Sequence, residues 1–281
     1  MPSRKITALY PAMETRDGAG VRLQRALGQH QDQRMDPYLM MDHFSSIDAA
    51  DYIAGFPDHP HRGFETITYM LDGHMLHQDH MGNQGHLKAG DLQWMTAGRG
   101  VIHSEMPQQE AGRMRGFQIW LNLPAALKMQ PASYQDIPGA SLPRAPLDGG
   151  GELILLAGEL ELAGQRLRGP IHSEHTRPLI ADIRLAPGGG LSLPLAAELN
   201  ALVYGFEGEA RIAGQVLSGE HCALLGAGDR LELAAGEAGA RLLLLAGRPL
   251  HEPVVQYGPF VMNSVAEIEQ AIMDYRAGKL V

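Results

Sequence analysis

The stretch His59–Gly73 reads HPHRGFETITYMLDG and shows how the chain around it is built. The segment Phe64–Leu71 has the two-residue alternation of a β-strand. One face would carry Glu65, Ile67, Tyr69 and Leu71, and the other Phe64, Thr66, Thr68 and Met70. The pair Asp72-Gly73 then marks a tight turn. Farther along, Phe117–Leu123 alternates in the same way, with bulky apolar residues on one side. Short strands separated by turn signals predict an all-β fold of the sandwich or barrel type.

The start of this stretch predicts a metal site. His59 and His61 are two residues apart, so in an extended chain both imidazoles point to the same face. The segment His103-Ser104-Glu105 repeats the spacing with one imidazole and one carboxylate. Three nitrogens and one oxygen suit a divalent first-row metal and leave coordination positions open for other molecules. Histidine pairs also arise by chance in a chain with 13 histidines, but two such pairs beside strand-like segments favour the metal.

Several motifs resemble those of a known family. The stretch His59–Gly73 is similar to the first cupin motif, an H-x-H followed by a glutamate and a glycine. Gly90–Pro107, GDLQWMTAGRGVIHSEMP, is similar to the second cupin motif in its pirin form. Together with Asp36–Phe44, DPYLMMDHF, and Gly258–Asn263, GPFVMN, these segments make essentially the whole chain resemble the pirin family.

The resemblance implies two cupin domains, each a jelly-roll β-barrel, with one metal ion in the N-terminal barrel, most often iron. It carries over His59 and His61 from the first motif, and His103 and Glu105 from the second, as metal ligands. In many cupins the first-motif glutamate, here Glu65, is a ligand. In pirins the carboxylate comes from the second motif, so we expect Glu65 to orient a ligand imidazole through a hydrogen bond, with direct ligation as the alternative.

Composition along the chain suggests domain boundaries. We expect a metal-binding domain over residues 1–124, a proline-rich connection over 125–151, and a second cupin-like domain over 152–281. A weak internal repeat supports this division, because Tyr69–Gly73 and Gly90–Gly98 resemble Tyr204–Gly208 and Gly228–Gly236. Aligning the two halves leaves no metal ligand in the second, where Arg241 stands opposite His103.

One helix is predicted at the end of the chain. Ser264 and Glu267 form a capping box at its start, and Gly278 stops it. Apolar residues recur at helical spacing between these signals, which predicts that one face is buried. They are Val265, Ile268, Ile272 and Tyr275.

The overall charge excludes several classes of partner. The chain of 281 residues has a formal net charge of −9 and no run of Lys or Arg. Direct binding to nucleic acid or to an anionic membrane surface is therefore not expected.

The N-terminus lacks the apolar region of a signal peptide, and no segment is apolar enough to span a bilayer. With Cys222 as the single cysteine, we expect a cytoplasmic protein.

The family resemblance also implies an enzymatic activity, that of a quercetin 2,3-dioxygenase. The substrates would be a flavonol, or a similar small aromatic molecule, and O2, and cleavage of the ring would release carbon monoxide. Glu105 would act as the general base that takes the flavonol hydroxyl proton. Fe(II) is the favoured ion, although Mn, Co, Ni, Cu and Zn also suit these ligands. We expect the walls of the substrate pocket to include Ile67, Trp94, Met95 and Phe117.

Two alternatives remain open at this stage. The chain could be a metal- or redox-sensing regulatory protein that binds a partner protein rather than turning over a substrate, as eukaryotic pirins are thought to be. The physiological substrate could also be another enolic or phenolic small molecule, because neither the fold nor the metal determines the substrate.

Among the other histidines, His77 could approach the metal, but a solvated position in a turn is the commoner outcome.

Overall fold

A computed structural model describes residues 2–30 and 33–281. The first twelve strands are β1 (Ile6–Pro11), β2 (Met13–Asp17), β3 (Val21–Leu27), β4 (Tyr38–Ser46), β5 (Phe56–His61), β6 (Phe64–Asp72), β7 (His74–Asp79), β8 (Gln84–Lys88), β9 (Leu92–Thr96), β10 (Val101–Pro107), β11 (Met114–Asn122) and β12 (Ser133–Ile137). The remaining strands are β13 (Arg144–Pro146), β14 (Gly151–Ala157), β15 (Glu159–Leu162), β16 (Gln165–Arg168), β17 (Leu179–Leu185), β18 (Gly190–Pro194), β19 (Asn200–Ile212), β20 (Gln215–Ser218), β21 (His221–Leu225), β22 (Arg230–Gly247), β23 (Val255–Tyr257) and β24 (Phe260–Met262). The helix α1 spans Val265–Arg276, and short 3-10 turns lie at Ala49–Asp51, Ala125–Leu127 and Gly139–Ser141. The prediction of an all-β chain with a short C-terminal helix is confirmed.

The chain divides into two compact units, and their limits differ from the domain boundaries expected at residues 124 and 152. The site unit comprises the described residues of 14–28, 38–140 and 250–281. The leucine-rich unit comprises those of 1–13, 29–37 and 141–249. The N-terminal strand β1 belongs to the leucine-rich unit because it pairs antiparallel with β21. Such long-range pairing cannot be read from composition along the chain.

The site unit contains two large antiparallel sheets and the two-stranded sheet β23-β24. One has seven strands in the order β12-β9-β6-β11-β4-β3-β2, and the other has four in the order β5-β10-β7-β8. Because side chains alternate along β11, one face of the larger sheet packs in the core and the other face lines a cavity. Phe117 and Ile119 are fully buried on one face, while Gln118 and Trp120 on the other face line a cavity. A one-residue shift in register would exchange the two sets.

The C-terminal segment packs within the site unit. The predicted N-cap of α1 is confirmed, since Ser264 Oγ accepts from the Glu267 backbone N–H at 3.3 Å. Glu267 also reaches back as predicted, but its Oε2 accepts from the backbone N–H of Asn263, one residue before the cap, at 3.0 Å. Ile268 is buried, but Val265 and Tyr275 are 62% and 42% exposed. Only part of the predicted apolar face is therefore covered. No helix among the described residues combines the length and apolarity needed to cross a bilayer.

The leucine-rich unit is built on a nine-stranded sheet whose main path is β1-β21-β19-β22-β17-β14-β13. Its core consists largely of leucine and alanine side chains from these strands. Arg241, which the sequence places opposite His103, donates from Nε and Nη2 to the two carboxylate oxygens of buried Asp182 at 3.1 and 2.7 Å. A charge-neutralising pair therefore occupies this position.

Candidate metal centre

Three imidazoles come together on the smaller sheet of the site unit. His103 on β10 is the direct cross-strand partner of His59 on β5, and His61 follows two residues later on the same face. One nitrogen from each of the three rings lies within 4.8 Å of one from each of the others. The pairing of two antiparallel strands thus joins two motifs that are more than forty residues apart in sequence. A set of this kind can hold a metal ion.

A β-bulge beside the imidazoles sets the orientation of one of them. His103 pairs with His59, but Glu105 pairs with Phe56, so β5 has one extra residue between these two positions. Bulges of this kind redirect side chains and are common next to functional sites. Within this irregular segment, the Pro57 carbonyl lies 2.8 Å from His59 Nδ1. If Nδ1–H donates to this carbonyl, Nε2 of His59 is left with its lone pair for a metal.

The other two imidazoles are in an environment that keeps them neutral. Burial, followed by the neighbouring imidazoles, lowers the pKa of both His61 and His103 well below the ordinary value. Neutral imidazole is the form that binds metal. Within the described part of the chain, His61 Nδ1 and His103 Nε2 are buried and have no hydrogen-bond partner. Buried polar atoms without partners are rare, and a metal ion would account for such atoms here.

His77 on β7 orients one of these rings. Its Nε2 lies 2.8 Å from Nδ1 of His103, and its side chain is completely buried. The interpretation of His77 as a solvated turn histidine was therefore wrong. Met75 and His77 lie on the same face of β7, and Met75 lines the cavity. The sequence signal that could have identified His77 is this i, i+2 relationship within the hairpin.

Glu105 lies beside the three imidazoles but is not part of their close group. Its Oε1 lies 3.2 Å from the Thr68 hydroxyl, and its Oε2 accepts from Gln118 Nε2 at 3.4 Å. The Thr68 hydroxyl also lies 2.5 Å from Gln118 Oε1, and it has a single proton to donate to one of the two acceptors. Thr68 and Gln118 thus form a polar cradle for the carboxylate. Sequence reasoning missed both residues.

Glu65 has a different partner from the one expected. Its Oε1 accepts from the Thr96 hydroxyl at 2.8 Å on the neighbouring strand β9. Because Glu65 and Thr68 are three residues apart on one strand, they point to opposite faces of the sheet. No described hydrogen bond links Glu65 to an imidazole, and His77 has the orienting contact that was expected of Glu65. Burial raises the pKa of Glu65 to about 7.

A cavity of about 680 Å³ opens onto His59, His61 and Glu105. The expected wall residues Ile67 and Phe117 are not among its lining residues, because each lies on the strand face opposite to Thr68 and Gln118. Trp94 and Met95 do not line it either. The apolar walls come instead from other residues, namely Leu23, Met40, Phe44, Phe56, Met75 and Trp120. Trp120 also packs edge-to-face on His61, with ring centroids 5.4 Å apart.

The C-terminal segment contributes one side of the site. Gln256, Gly258 and Pro259 line the cavity, and the Pro259 carbonyl forms a hydrogen bond that raises the pKa of His61, against the larger effect of burial. Arg62, next to His61, donates from Nη1 to Asp274 Oδ2 at 2.7 Å. The metal-binding strand is therefore tied directly to the end of the chain, which explains why the last residues group with the site unit.

Comparison with family models matches both halves of the chain. The pirin model matches residues 20–121. The model for the pirin C-terminal cupin domain matches residues 180–281. The two β-domains of the chain are therefore cupin domains, as the sequence predicts.

Relatives extend over the whole chain. A protein of Pseudomonas aeruginosa named "Putative quercetin 2,3-dioxygenase" is 48% identical over 280 residues, covering 99% of this chain and 98% of the relative. The Homo sapiens protein named pirin is 38% identical, covering 99% of this chain and 94% of the relative. Among solved structures, a quercetin 2,3-dioxygenase from Acinetobacter baumannii is 33% identical and superposes with a TM-score of 0.90, covering 99% of each chain.

Proposed function

This chain belongs to the pirin family, and we propose that it is a metal-dependent dioxygenase of the quercetin 2,3-dioxygenase type that cleaves flavonols with O2. The main observation in favour is a cluster of three imidazoles, two of which line a cavity of about 680 Å³ together with the Glu105 carboxylate. Pockets for small molecules typically measure about 300–1,000 Å³, so a flat three-ring molecule fits this size class. The names of the bacterial relatives support the same activity.

We propose His59, His61, His103 and Glu105 as the ligands of one divalent ion, with Fe(II) as the physiological metal. The two buried, unpartnered imidazole nitrogens of His61 and His103 support this assignment. When bound, the metal would supply Lewis-acid activation of the flavonol oxygens and the redox chemistry for O2. Glu105 lies two residues from His103 on β10 and lines the same cavity as His59 and His61, which supports it as the fourth ligand.

The chain's own residues have two further tasks in the proposed reaction. Glu105 accepts the proton of the flavonol 3-hydroxyl group, which makes the ring electron-rich before it reacts with O2. Its Oε2 accepts from Gln118 Nε2, and the Thr68 hydroxyl lies 3.2 Å from its Oε1, so the cradle positions the carboxylate. The apolar walls around Trp120 and Phe44 bind the flat rings and exclude water from the reacting carbons.

Anaerobic reconstitution tests the proposal. Protein loaded with Fe(II) is mixed with quercetin, O2 is then admitted, and flavonol absorbance and carbon monoxide release are followed. Wild type should consume flavonol and release carbon monoxide in equal amounts. His61→Ala should show no loss above the metal-free background, because it removes one ligand. His86→Ala is the matched control, since His86 is exposed and its described side-chain hydrogen bond is to His74, away from the cluster.

Two outcomes would contradict the proposal. A wild-type protein that contains no metal and acquires none on titration would overturn the metal site. If the wild type binds metal but is as inactive as His61→Ala, the dioxygenase assignment fails. The sensing role of a metal-bound surface that recruits a protein partner would then be the better explanation.

A further inference from the structure

A row of polar side chains crosses the cavity wall. Thr68 on β6 pairs with Gln118 on β11, Gln118 pairs with Asp42 on β4, and Asp42 pairs with Arg25 on β3. Cross-strand partners share a face of the sheet, and all four side chains line the cavity. Polar groups are costly to bury between apolar neighbours unless they are hydrogen-bonded. The row therefore calls for an explanation beyond packing.

The two ends of the row have different roles. Thr68 and Gln118 hold Glu105, as described above. At the other end, Arg25 donates from Nε and Nη2 to the two oxygens of Asp42 at 2.8 and 2.7 Å. Two inter-strand spacings, about 10 Å, separate Asp42 from Thr68. The cavity thus has a second polar position on β3 and β4, which are not the strands that carry the proposed metal ligands.

This second position is built to accept hydrogen bonds. The side chain of Asp42 is only 4% exposed, and Arg25 also donates to Asp17 at 3.0 Å, so the guanidinium is held by two carboxylates. Each carboxylate oxygen has two lone pairs, and Arg25 uses one on each oxygen of Asp42. Phe44 and Met40 flank Asp42 two residues away on the same strand face and also line the cavity. An aromatic ring between them would present its edge to the Asp42 carboxylate.

The charges of the cavity restrict what can bind there. At this end of the cavity, two described lining carboxylates, those of Asp17 and Asp42, are paired with a single guanidinium, that of Arg25. A second anionic group on the substrate would meet uncompensated negative charge at this end. A neutral hydroxyl group would find acceptors instead.

We propose that the Arg25–Asp42 pair recognises hydroxyl groups on the substrate ring that lies farthest from the three imidazoles. The preferred substrates are then neutral polyhydroxylated aromatic molecules, and carboxylated or phosphorylated ones are rejected. This inference rests on the proposed function, because it assumes that the reacting end of the substrate lies at the imidazoles and Glu105.

Equilibrium binding to protein loaded with Zn(II), which does not turn over, tests the inference. The probes are three flavonols that differ only in having zero, one or two hydroxyl groups on the pendant ring. In the wild type, the first hydroxyl group should tighten binding roughly tenfold, because it donates to a charged acceptor. In Asp42→Asn the same comparison should give a difference of only about two- to threefold, because the amide oxygen is a neutral acceptor. The flavonol without pendant hydroxyls should bind both proteins alike.

A matched control and a fourth probe complete the test. In the same site unit, Arg115 Nε donates to Asp72 Oδ2 at 2.8 Å, but Asp72 does not line the cavity. Asp72→Asn should therefore keep the wild-type increase in affinity with each pendant hydroxyl group. A flavonol with a carboxylate on the pendant ring should bind the wild type more weakly than the one without substituents. If Asp42→Asn does not fold, the test rests on the wild type. The inference then requires that affinity rises with the number of pendant hydroxyl groups and that the carboxylated flavonol binds more weakly.

The outcomes separate this inference from the proposed function. If none of the flavonols binds the Zn(II)-loaded wild type, the proposed function fails, and the inference fails with it. If all of them bind with the same affinity, including the carboxylated one, the metal-site function stands and the inference is overturned. The inference would also be overturned if affinity no longer rose with pendant hydroxyl groups in Asp72→Asn, because Asp72 does not line the cavity.

Discussion

Nε2 of His77 and Nδ1 of His103 lie 2.8 Å apart, between two rings that are 0% and 1% exposed. One nitrogen must donate the proton and the other must accept it. If Nδ1 of His103 donates, its Nε2 has a lone pair aimed at the imidazole group, where it has no described partner. Partners of this kind determine the tautomer and orientation of a metal-binding ring.

Replacing His77 by phenylalanine should therefore weaken metal binding. The variant keeps a buried ring but removes the acceptor for His103, and we expect metal affinity to fall roughly 10- to 100-fold. Competition with a chelator of known affinity measures this directly. His77→Gln retains an acceptor and should recover part of the loss. Equal affinities for wild type and His77→Phe would show that His77 contributes only to packing.

The cradle around Glu105 predicts a second effect. Thr68→Val preserves the shape of the side chain but removes the hydroxyl near Glu105 Oε1. We expect kcat for flavonol cleavage to fall roughly two- to tenfold while metal content stays unchanged. Thr66→Val is the control, because Thr66 is buried on the same face of β6 but has no described bond to Glu105. A loss of bound metal in Thr68→Val would assign Thr68 to metal retention instead.

Glu65 should make the stability of the protein depend on pH. Burial raises its pKa to about 7, from an ordinary value of 4.5. Between these values the folded protein keeps the proton and the unfolded chain releases it, so the free energy of unfolding falls as pH rises through this window. The full effect is at most about 3 kcal/mol.

Urea unfolding of the metal-free protein at pH 4.5 and pH 8 measures this dependence. Glu65→Gln can still accept from Thr96 and has no charge to bury, so its stability relative to wild type should increase with pH across this window. Glu269→Gln, at an exposed site on α1, serves as the control and should change nothing. A Glu65→Gln profile parallel to that of the wild type would contradict the assignment of a raised pKa.

Lys128 connects the C-terminal segment to the rest of the site unit. Its Nζ is buried and donates to the Gly63 carbonyl at 2.6 Å, to Asn122 Oδ1 at 2.6 Å and to the Val261 carbonyl at 3.0 Å. Lys128→Met fills the space but leaves three acceptors without a donor. We expect the free energy of unfolding to fall by about 3 kcal/mol.

Chemical denaturation of Lys128→Met beside Lys88→Met, at an exposed position on β8, provides the comparison. Hydrogen exchange should also become faster at the Val261 backbone amide, since the neighbouring segment loses one of its ties. If both variants unfold at the same denaturant concentration, the three hydrogen bonds of Lys128 do not contribute measurably to stability.

Local pattern accounts for the parts of the fold that could be predicted from the sequence. Alternation in Phe64–Leu71 is a property of neighbouring residues, and it correctly indicated a strand. The capping box of Ser264 and Glu267 is equally local, and it correctly placed the start of α1. The boundaries at residues 124 and 152 differ from the limits of the compact units, because the pairing of β1 with β21 and the contacts of Arg62 and Lys128 join distant parts of the chain.

The sequence by itself determined that His59 and His61 share a face, because a strand repeats every two residues whatever surrounds it. It also determined, through its motifs, the family and the two-cupin fold. Only the tertiary structure decided which buried side chains contact the imidazoles. Pairing between β7 and β10 brought His77 to His103, and the alternation of β6 turned Glu65 away from Thr68. Register and long-range contact settle such positions, since a side chain's neighbours across a sheet are set by the pairing of strands and not by its neighbours along the chain.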